Sequence, residues 1–268
     1  MRIGVCTSWS HDDPFAQVRE FGLDCCQLLN WDVAQWTTRD PLVTKRQAED
    51  ANVAISCLWV GYPGPAVWNF VEGPSTIGLV PGKWRAERLA ALKKGADFAV
   101  KLGVPAIATH VGFIPENMND PHYPGVVQAL REIAGYCHEL GLGFWFETGQ
   151  ETPTTLLRAM EDIDLPNLGV NLDPANLVLY GRGNPIDSLD VFGQYVKCVH
   201  AKDGLYPTDG RNLGQEVVVG TGKVQFPAFI KRLQEIGYDG DLIIEREISG
   251  PQQIADIRQT VDYLAGLL

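Results

Sequence analysis

Short apolar runs alternate with amphipathic stretches along nearly the whole chain. Eight runs of about 5–8 residues, rich in Val, Ile, Phe, Trp and Cys, read as buried strands. They cover residues 2–7, 25–30, 53–60, 106–113, 143–148, 168–173, 196–203 and 241–247. Between them apolar residues recur at i, i+3, i+4 spacing, which predicts helices over 14–21, 41–51, 84–102, 126–140, 154–163, 186–195, 226–236 and 252–267. In the helix over 84–102, Leu89, Leu92, Ala96, Ala99 and Val100 form one stripe; Gly103 follows as a C-cap and Pro105 blocks continuation. Thr152-Pro153 reads as an N-cap with proline in the first helical position.

Eight β–α units suit a chain of 268 residues folded as a (β/α)₈ TIM barrel, which takes about 250 residues. The competing doubly wound sheet usually carries a glycine-rich turn after its first strand. Here that turn, residues 7–13, contains no glycine. No composition break divides the chain, so one α/β TIM barrel domain over 1–268 is expected. The irregular, Pro- and Gly-rich stretch 61–81 follows the third strand and reads as a lid-like βα loop.

Composition adds constraints. Lys and Arg number 22 against 33 Asp and Glu, a net charge of −11. That balance argues against a nucleic-acid partner, which needs a basic surface. The 28 glycines and 17 prolines exceed the average share and indicate many turns. The segment MRIGVCTSWSHDDPF has no apolar core of a signal peptide, and no stretch is long and apolar enough for a membrane span. Six cysteines without a C-x-x-C pair, mostly in apolar text, read as reduced thiols of a cytoplasmic protein.

Candidate chemistry lies where the last four strands end, because barrel chemistry sits at the C-terminal ends of strands. Those ends present Glu147, Asp173, His200 and Glu245, with Glu247 as an alternative ligand of the same parity. Three carboxylates and one imidazole suit one divalent metal: Mn²⁺, Mg²⁺ or Co²⁺, with Zn²⁺ also compatible. A lone acid at a strand end is usually a solvated turn residue. Glu147, directly after Phe144-Trp145-Phe146, is costly to bury unless paired or metal-bound. Lys202 shares the parity of His200, so it contacts either a substrate oxygen or a neighbouring acid, Asp203 or Glu245. Glu151 is a supporting carboxylate or a helix-start acid. Gly220-Thr221-Gly222-Lys223 is a plain turn or a phosphate cradle. Trp9, Trp31, Trp59, Trp68 and Trp145 lie near strand ends or loops, where some stack on a ligand and others fill core.

The stretches Phe146-Glu147-Thr148-Gly149-Gln150-Glu151, Asn171-Leu172-Asp173-Pro174-Ala175-Asn176, His200-Ala201-Lys202-Asp203-Gly204 and Ile244-Glu245-Arg246-Glu247 resemble the sugar phosphate isomerase/epimerase family of the xylose isomerase-like TIM barrel superfamily. The resemblance implies a small-molecule sugar substrate and one metal, Mn²⁺ commonly, held at Glu147, Asp173, His200 and Glu245. It also implies that Glu147 and Glu245 exchange protons through a metal-stabilised cis-enediolate, as an isomerase or epimerase. A lyase or dehydratase acting on a keto-sugar or keto-inositol at the same metal is the alternative. His110 resembles a substrate-contacting or supporting histidine of the family. Ketose 3-epimerases usually carry His at the position of Asn176 and Arg at that of Tyr206. Here the segment 203–222 offers Arg211 or Asn212 instead. An endonuclease IV-like site needs many more histidines than the five present, and a sugar-binding protein without catalysis would not need all four ligand types. The sugar, its phosphorylation and any homo-oligomer are left open by the sequence.

Overall fold

The computed structural model describes residues 1–10 and 13–268. Its strands in chain order are β1 (Arg2–Ser8), β2 (Cys25–Asn30), β3 (Ala54–Val60), β4 (Ala106–Thr109), β5 (Gly143–Glu147), β6 (Leu168–Leu172), β7 (Val196–Ala201), β8 (Asp203–Gly204), β9 (Glu216–Val217) and β10 (Asp241–Ile244). Eight of them close a parallel barrel in the order β1-β10-β7-β6-β5-β4-β3-β2; β8 and β9 form a small antiparallel pair outside it. Helices surround the barrel, as expected of a (β/α)₈ fold. Of the glycine-free turn 7–13, His11 and Asp12 lie outside the described residues.

Period two explains the layering. On β5, Phe144 and Phe146 pack outward into the core shared with the helices, while Trp145 and Glu147 face the barrel interior. That interior is filled by small residues, Cys57, Ala106, Ala108 and Cys198 among them, together with Trp145. Trp145 fits because Gly143 and Gly169 have no side chains: a Cβ on either would come within 2.6 Å of its indole. It therefore plugs the barrel towards the N-terminal ends of the strands, far from any site at the opposite mouth. Trp9 is also structural, packed edge-on against Trp36 and Phe98.

Three expected strands end early by two residues or more. Beyond β4 the backbone leaves the sheet, and the Val111 carbonyl accepts from Leu79 of the long loop at 2.8 Å. After β7 the chain turns into β8 and pairs with β9. After β10, Glu247 N–H donates to the Glu216 carboxylate. Three short helices were not visible as periodicity: Gln35–Thr38, Gly73–Thr76 and Pro174–Leu179. Each is too short to repeat an i, i+3, i+4 pattern.

The loop 61–81 is fastened. Arg88, fully buried on the following helix Gly82–Leu102, donates to the carbonyls of Pro63, Pro65 and Gly78 at 3.1, 2.8 and 2.6 Å. Its guanidinium also lies 4.4 Å from the centre of the Tyr62 ring. Phe70 N–H donates to the Arg211 carbonyl at 2.9 Å, and Asn69 bridges to Asn212. Two loops are thereby tied together over the mouth.

Candidate active site

The closed barrel brings four side chains from four neighbouring strand ends together. Glu147 ends β5, Asp173 follows β6, His200 lies in β7 and Glu245 follows β10. One ligand atom from each lies within 4.8 Å of the others. Glu147, Asp173 and His200 are buried, and the Glu245 side chain is only 13% exposed.

Each is aimed by its surroundings. Asp173 caps the helix Pro174–Leu179, with Oδ1 accepting from Asn176 N–H at 2.9 Å. Its other oxygen, Oδ2, has no hydrogen-bond partner and points inward. His200 Nε2 lies 2.7 Å from Gln27 Oε1. Asn171 Nδ2 lies 3.1 Å from the same nitrogen, and the other ring nitrogen, Nδ1, faces the acids. Nδ1 has no hydrogen-bond partner and sits 3.4 Å from Glu147, 3.7 Å from Asp173 and 3.2 Å from Glu245. Gln27 is itself fixed, its amide nitrogen donating to Asn171 Oδ1 at 3.2 Å and to Cys57 Sγ at 3.0 Å. Register shifts in the pairing of β2 with β3 and of β6 with β7 flank Gln27 and Asn171. Such irregularities re-aim side chains beside active sites.

Electrostatics follow from crowding acids around two cations. Burial disfavours charge on His200, but Glu245 and Glu147 outweigh it and raise its pKa well above the usual imidazole value. Burial raises the Glu245 carboxyl, yet Lys202 and His200 hold it well below the usual range. Glu147 is likewise lowered: burial opposes ionisation, and His110 with His200 overcomes it. Lys202 lies 3.1 Å from Glu245, 3.0 Å from Glu247 and 3.5 Å from Asp173. Of the two acids considered for it, it pairs with Glu245. Asp203 is engaged elsewhere.

A cavity of about 280 Å³ opens beside this cluster. Trp31, Trp59, Trp68, His110, Asn176, Tyr180, Glu147, Glu245 and Glu247 are among its walls. His110 Nε2 lies 3.5 Å from Glu147 Oε1, and Trp59 Nε1 donates to Glu147 Oε2. Gln150 Nε2 meets His110 Nδ1 at 3.3 Å. Of the tryptophans, Trp31, Trp59 and Trp68 face the cavity; Trp9 and Trp145 do not.

Other expected residues stand elsewhere. Arg211 and Asn212 are exposed and outside the cavity wall, where the same loop presents Leu213 instead. Tyr206 is exposed, its hydroxyl donating to the Gly181 carbonyl at 3.3 Å. Glu151 is buried with neither carboxylate oxygen hydrogen-bonded to a side chain, and it does not line the cavity. Burial pushes its pKa up to about 8. Glu247 is exposed and stands outside the four-residue cluster.

The turn at 220–223 already holds an anion. Asp203 accepts from the N–H groups of Gly204, Val224, Gly220 and Gly222 at 2.8, 3.1, 3.0 and 2.9 Å. A Cβ at Gly222 would lie 2.2 Å from that carboxylate. The phosphate-cradle alternative is therefore overturned, because the protein's own carboxylate fills the nest.

Gln27 and Asn171 are the supporting residues that sequence reasoning did not single out, and Trp59, named there for stacking, instead donates to Glu147. Their signal was parity: Gln27 is a polar residue inside an apolar strand, and Asn171 lies two residues before Asp173 on the same face.

Residues 15–267 match the xylose isomerase-like TIM barrel family. This chain belongs to that family. A xylose isomerase domain protein from Planctomyces limnophilus superposes with a TM-score of 0.93 at 35% identity, covering 99% of this chain and 96% of that one. The inosose dehydratase of Geobacillus kaustophilus is 30% identical over 148 residues, 49% of this chain and 48% of that protein. A ketose 3-epimerase of Arthrobacter globiformis is 26% identical over 124 residues, 44% of this chain and 39% of that protein. The chain spans about half the length, 55% and 48%, of the first curated relatives it matches. This chain's relatives thus include both a ketose 3-epimerase and an inosose dehydratase.

Proposed function

We propose that this protein is a divalent-metal-dependent isomerase or epimerase of a keto sugar, with Glu147 and Glu245 as the proton-transferring residues. The observation that carries the reading is that Glu147 and Glu245, from separate strands, both line one cavity while belonging to the four-residue cluster behind it.

The cluster suits an ion on its own chemistry. Asp173 Oδ2 and His200 Nδ1 are buried without a hydrogen bond, and three carboxylates meet there with Lys202 3.5 Å from Asp173 Oδ2, a donor set that a divalent ion would suit. Glu147, Asp173, His200 and Glu245 would hold the metal, Mn²⁺ by preference, with Gln27 holding the imidazole as supporting partners of metal ligands do. When bound, a divalent ion supplies Lewis-acid polarisation of a carbonyl and its neighbouring hydroxyl.

The remaining chemistry belongs to the chain. Glu147 and Glu245 are held ionised, so either can remove a proton from the carbon beside a carbonyl, and the other gives back a proton that it has first taken from solvent. Return to the opposite face of the same carbon epimerises; return to the neighbouring carbon isomerises. A positioned carboxylate contributes roughly 10²–10⁴-fold. Trp59 and His110 fix the Glu147 carboxylate, and Lys202 fixes that of Glu245. Asn176 and His110 stand on the cavity wall to bind hydroxyl groups, and the tryptophans offer faces for a sugar ring and exclude water.

The inosose dehydratase relatives favour a second reading, in which a leaving group departs from the same enolate. NMR in D₂O with Mg²⁺-loaded enzyme separates the two over a panel of ketoses and keto-inositols. Solvent deuterium entering the carbon beside the carbonyl without loss of water supports the isomerase; loss of water supports the lyase. Exchange that persists undiminished in Glu147→Gln would falsify the assignment of that residue.

A further inference from the structure

A second cavity of about 380 Å³ adjoins the first, on the side of β1 and β10. The two share Leu29, Trp31, Glu245 and Glu247 as a common wall. Trp31 is 45% exposed and is braced by Trp59 and Tyr62, with ring centres 4.6 and 5.5 Å away. Its indole therefore presents a held face where the lobes meet. Nothing in the proton transfer proposed above uses the second lobe.

Its lining defines what it would take. Ser8, Ser10, Ser249 and Gln253 supply hydroxyl and amide groups. Ser8 and Ser10 Oγ lie 2.6 Å apart, and Gln253 Nε2 donates to the Arg246 carbonyl at 2.8 Å. Among the described lining residues the cation is Arg246, and it is already held by Asp256 at 2.8 Å and Glu216 at 3.0 Å. Glu245 and Glu247 on the shared wall add negative charge. A phosphate would meet repulsion, with no free cation among the described lining residues to offset it, and the turn at 220–223 is filled by Asp203. Neutral hydroxyl groups meet donors and acceptors in Thr7, Ser8, Ser10, Ser249 and Gln253, and a sugar's apolar face meets Trp31 and Ile257.

We propose that this lobe is a second sugar subsite, so that the substrate is a neutral two-unit carbohydrate, a keto sugar linked to a further sugar, rather than a free or phosphorylated ketose. This rests on the proposed action on a keto sugar: the reacting unit occupies the first lobe beside Glu147 and Glu245, the linkage crosses Trp31, and the second unit lies against Ser8 and Gln253. Small-molecule sites are usually of about 300–1,000 Å³, and each lobe alone is at the low end of that range.

Binding to the Mn²⁺-supplemented full chain tests it, read by tryptophan fluorescence and calorimetry. The probes are D-fructose, fructose 6-phosphate and the ketose disaccharides turanose, lactulose and isomaltulose. At least one disaccharide is expected to bind about tenfold tighter than D-fructose, about 1.4 kcal/mol, and the phosphate ester no tighter than D-fructose. Ser8→Phe and, from the facing helix, Gln253→Trp each place bulk in the lobe and should bring the disaccharide-to-fructose ratio to about one. Two variants on different elements guard against one failing to fold. Disaccharides that bind no tighter than fructose, a preference for the phosphate ester, or a preference that survives both substitutions would overturn the subsite. Deuterium exchange on the same compounds keeps the two readings apart. Exchange without disaccharide preference sinks only the subsite; preference without exchange sinks only the isomerase.

Discussion

Glu151 shows how one buried side chain writes a pH dependence into the fold. Its carboxyl stands at about 8 in the folded protein against an ordinary value of 4.5. Between those values it is protonated when folded and ionised when unfolded, so the unfolded state binds fewer protons. Stability is then full below about pH 4.5 and falls as pH rises towards 8. Glu151→Gln removes the titration. Thermal melts should show this variant gaining on the native protein between pH 5 and pH 8, by about 5 °C or more at the upper end; parallel curves would refute the burial argument. Gln27 acts at the same scale by a different route. Its Oε1 fixes His200 so that Nδ1 faces the three acids. Gln27→Leu leaves that nitrogen unoriented, and Mn²⁺ affinity measured by calorimetry should fall about 10–100-fold.

Elements hold these residues in place through a few polar anchors. Arg88 satisfies three carbonyls of the loop 61–81 from inside the protein. Arg88→Met keeps most of the volume and strands those carbonyls. A loss of about 2–4 kcal/mol is expected in urea unfolding, together with weaker sugar binding as Trp68 loses its support. Asp203 plays the matching part for the turn 220–223. Asp203→Ala should cost about as much, and soaking with inorganic phosphate should restore part of the lost melting temperature by refilling the nest. These anchors were hard to read in advance. Arg88 sits in a helix whose stripe of Leu89, Leu92 and Ala96 was plain from spacing, yet its own burial depends on a loop wrapped around it. Residues 110–113 are apolar enough to read as a continuation of β4, while in the fold the Val111 carbonyl bonds to the loop instead.

At the scale of the whole molecule, four ligand-type side chains, three of them buried, at one end of a closed barrel would make binding of the proposed metal add directly to stability. A ligand at about 100 times its Kd adds about 2.7 kcal/mol. Mn²⁺ should therefore raise the melting temperature by several degrees, EDTA should reverse it, and His200→Ala should abolish the shift. No shift in the native protein would count against the metal assignment. Much of this was already legible. Period two put Glu147, Asp173, His200 and Glu245 on inward positions of four successive strand ends, and the spacing of apolar runs dictated eight β–α units. Local sequence determines such things because strand parity and turn chemistry act over a few residues. Only closure of the barrel decided the rest. It set Gln27 of β2 against His200 of β7, 173 residues away along the chain, and dropped Trp145 to the floor while raising Trp59 to the site. It turned Arg211 outward and gave Asp203 the nest that looked open to phosphate. Those outcomes depend on which side chain reaches a shared space first, and that competition exists only once the chain has folded.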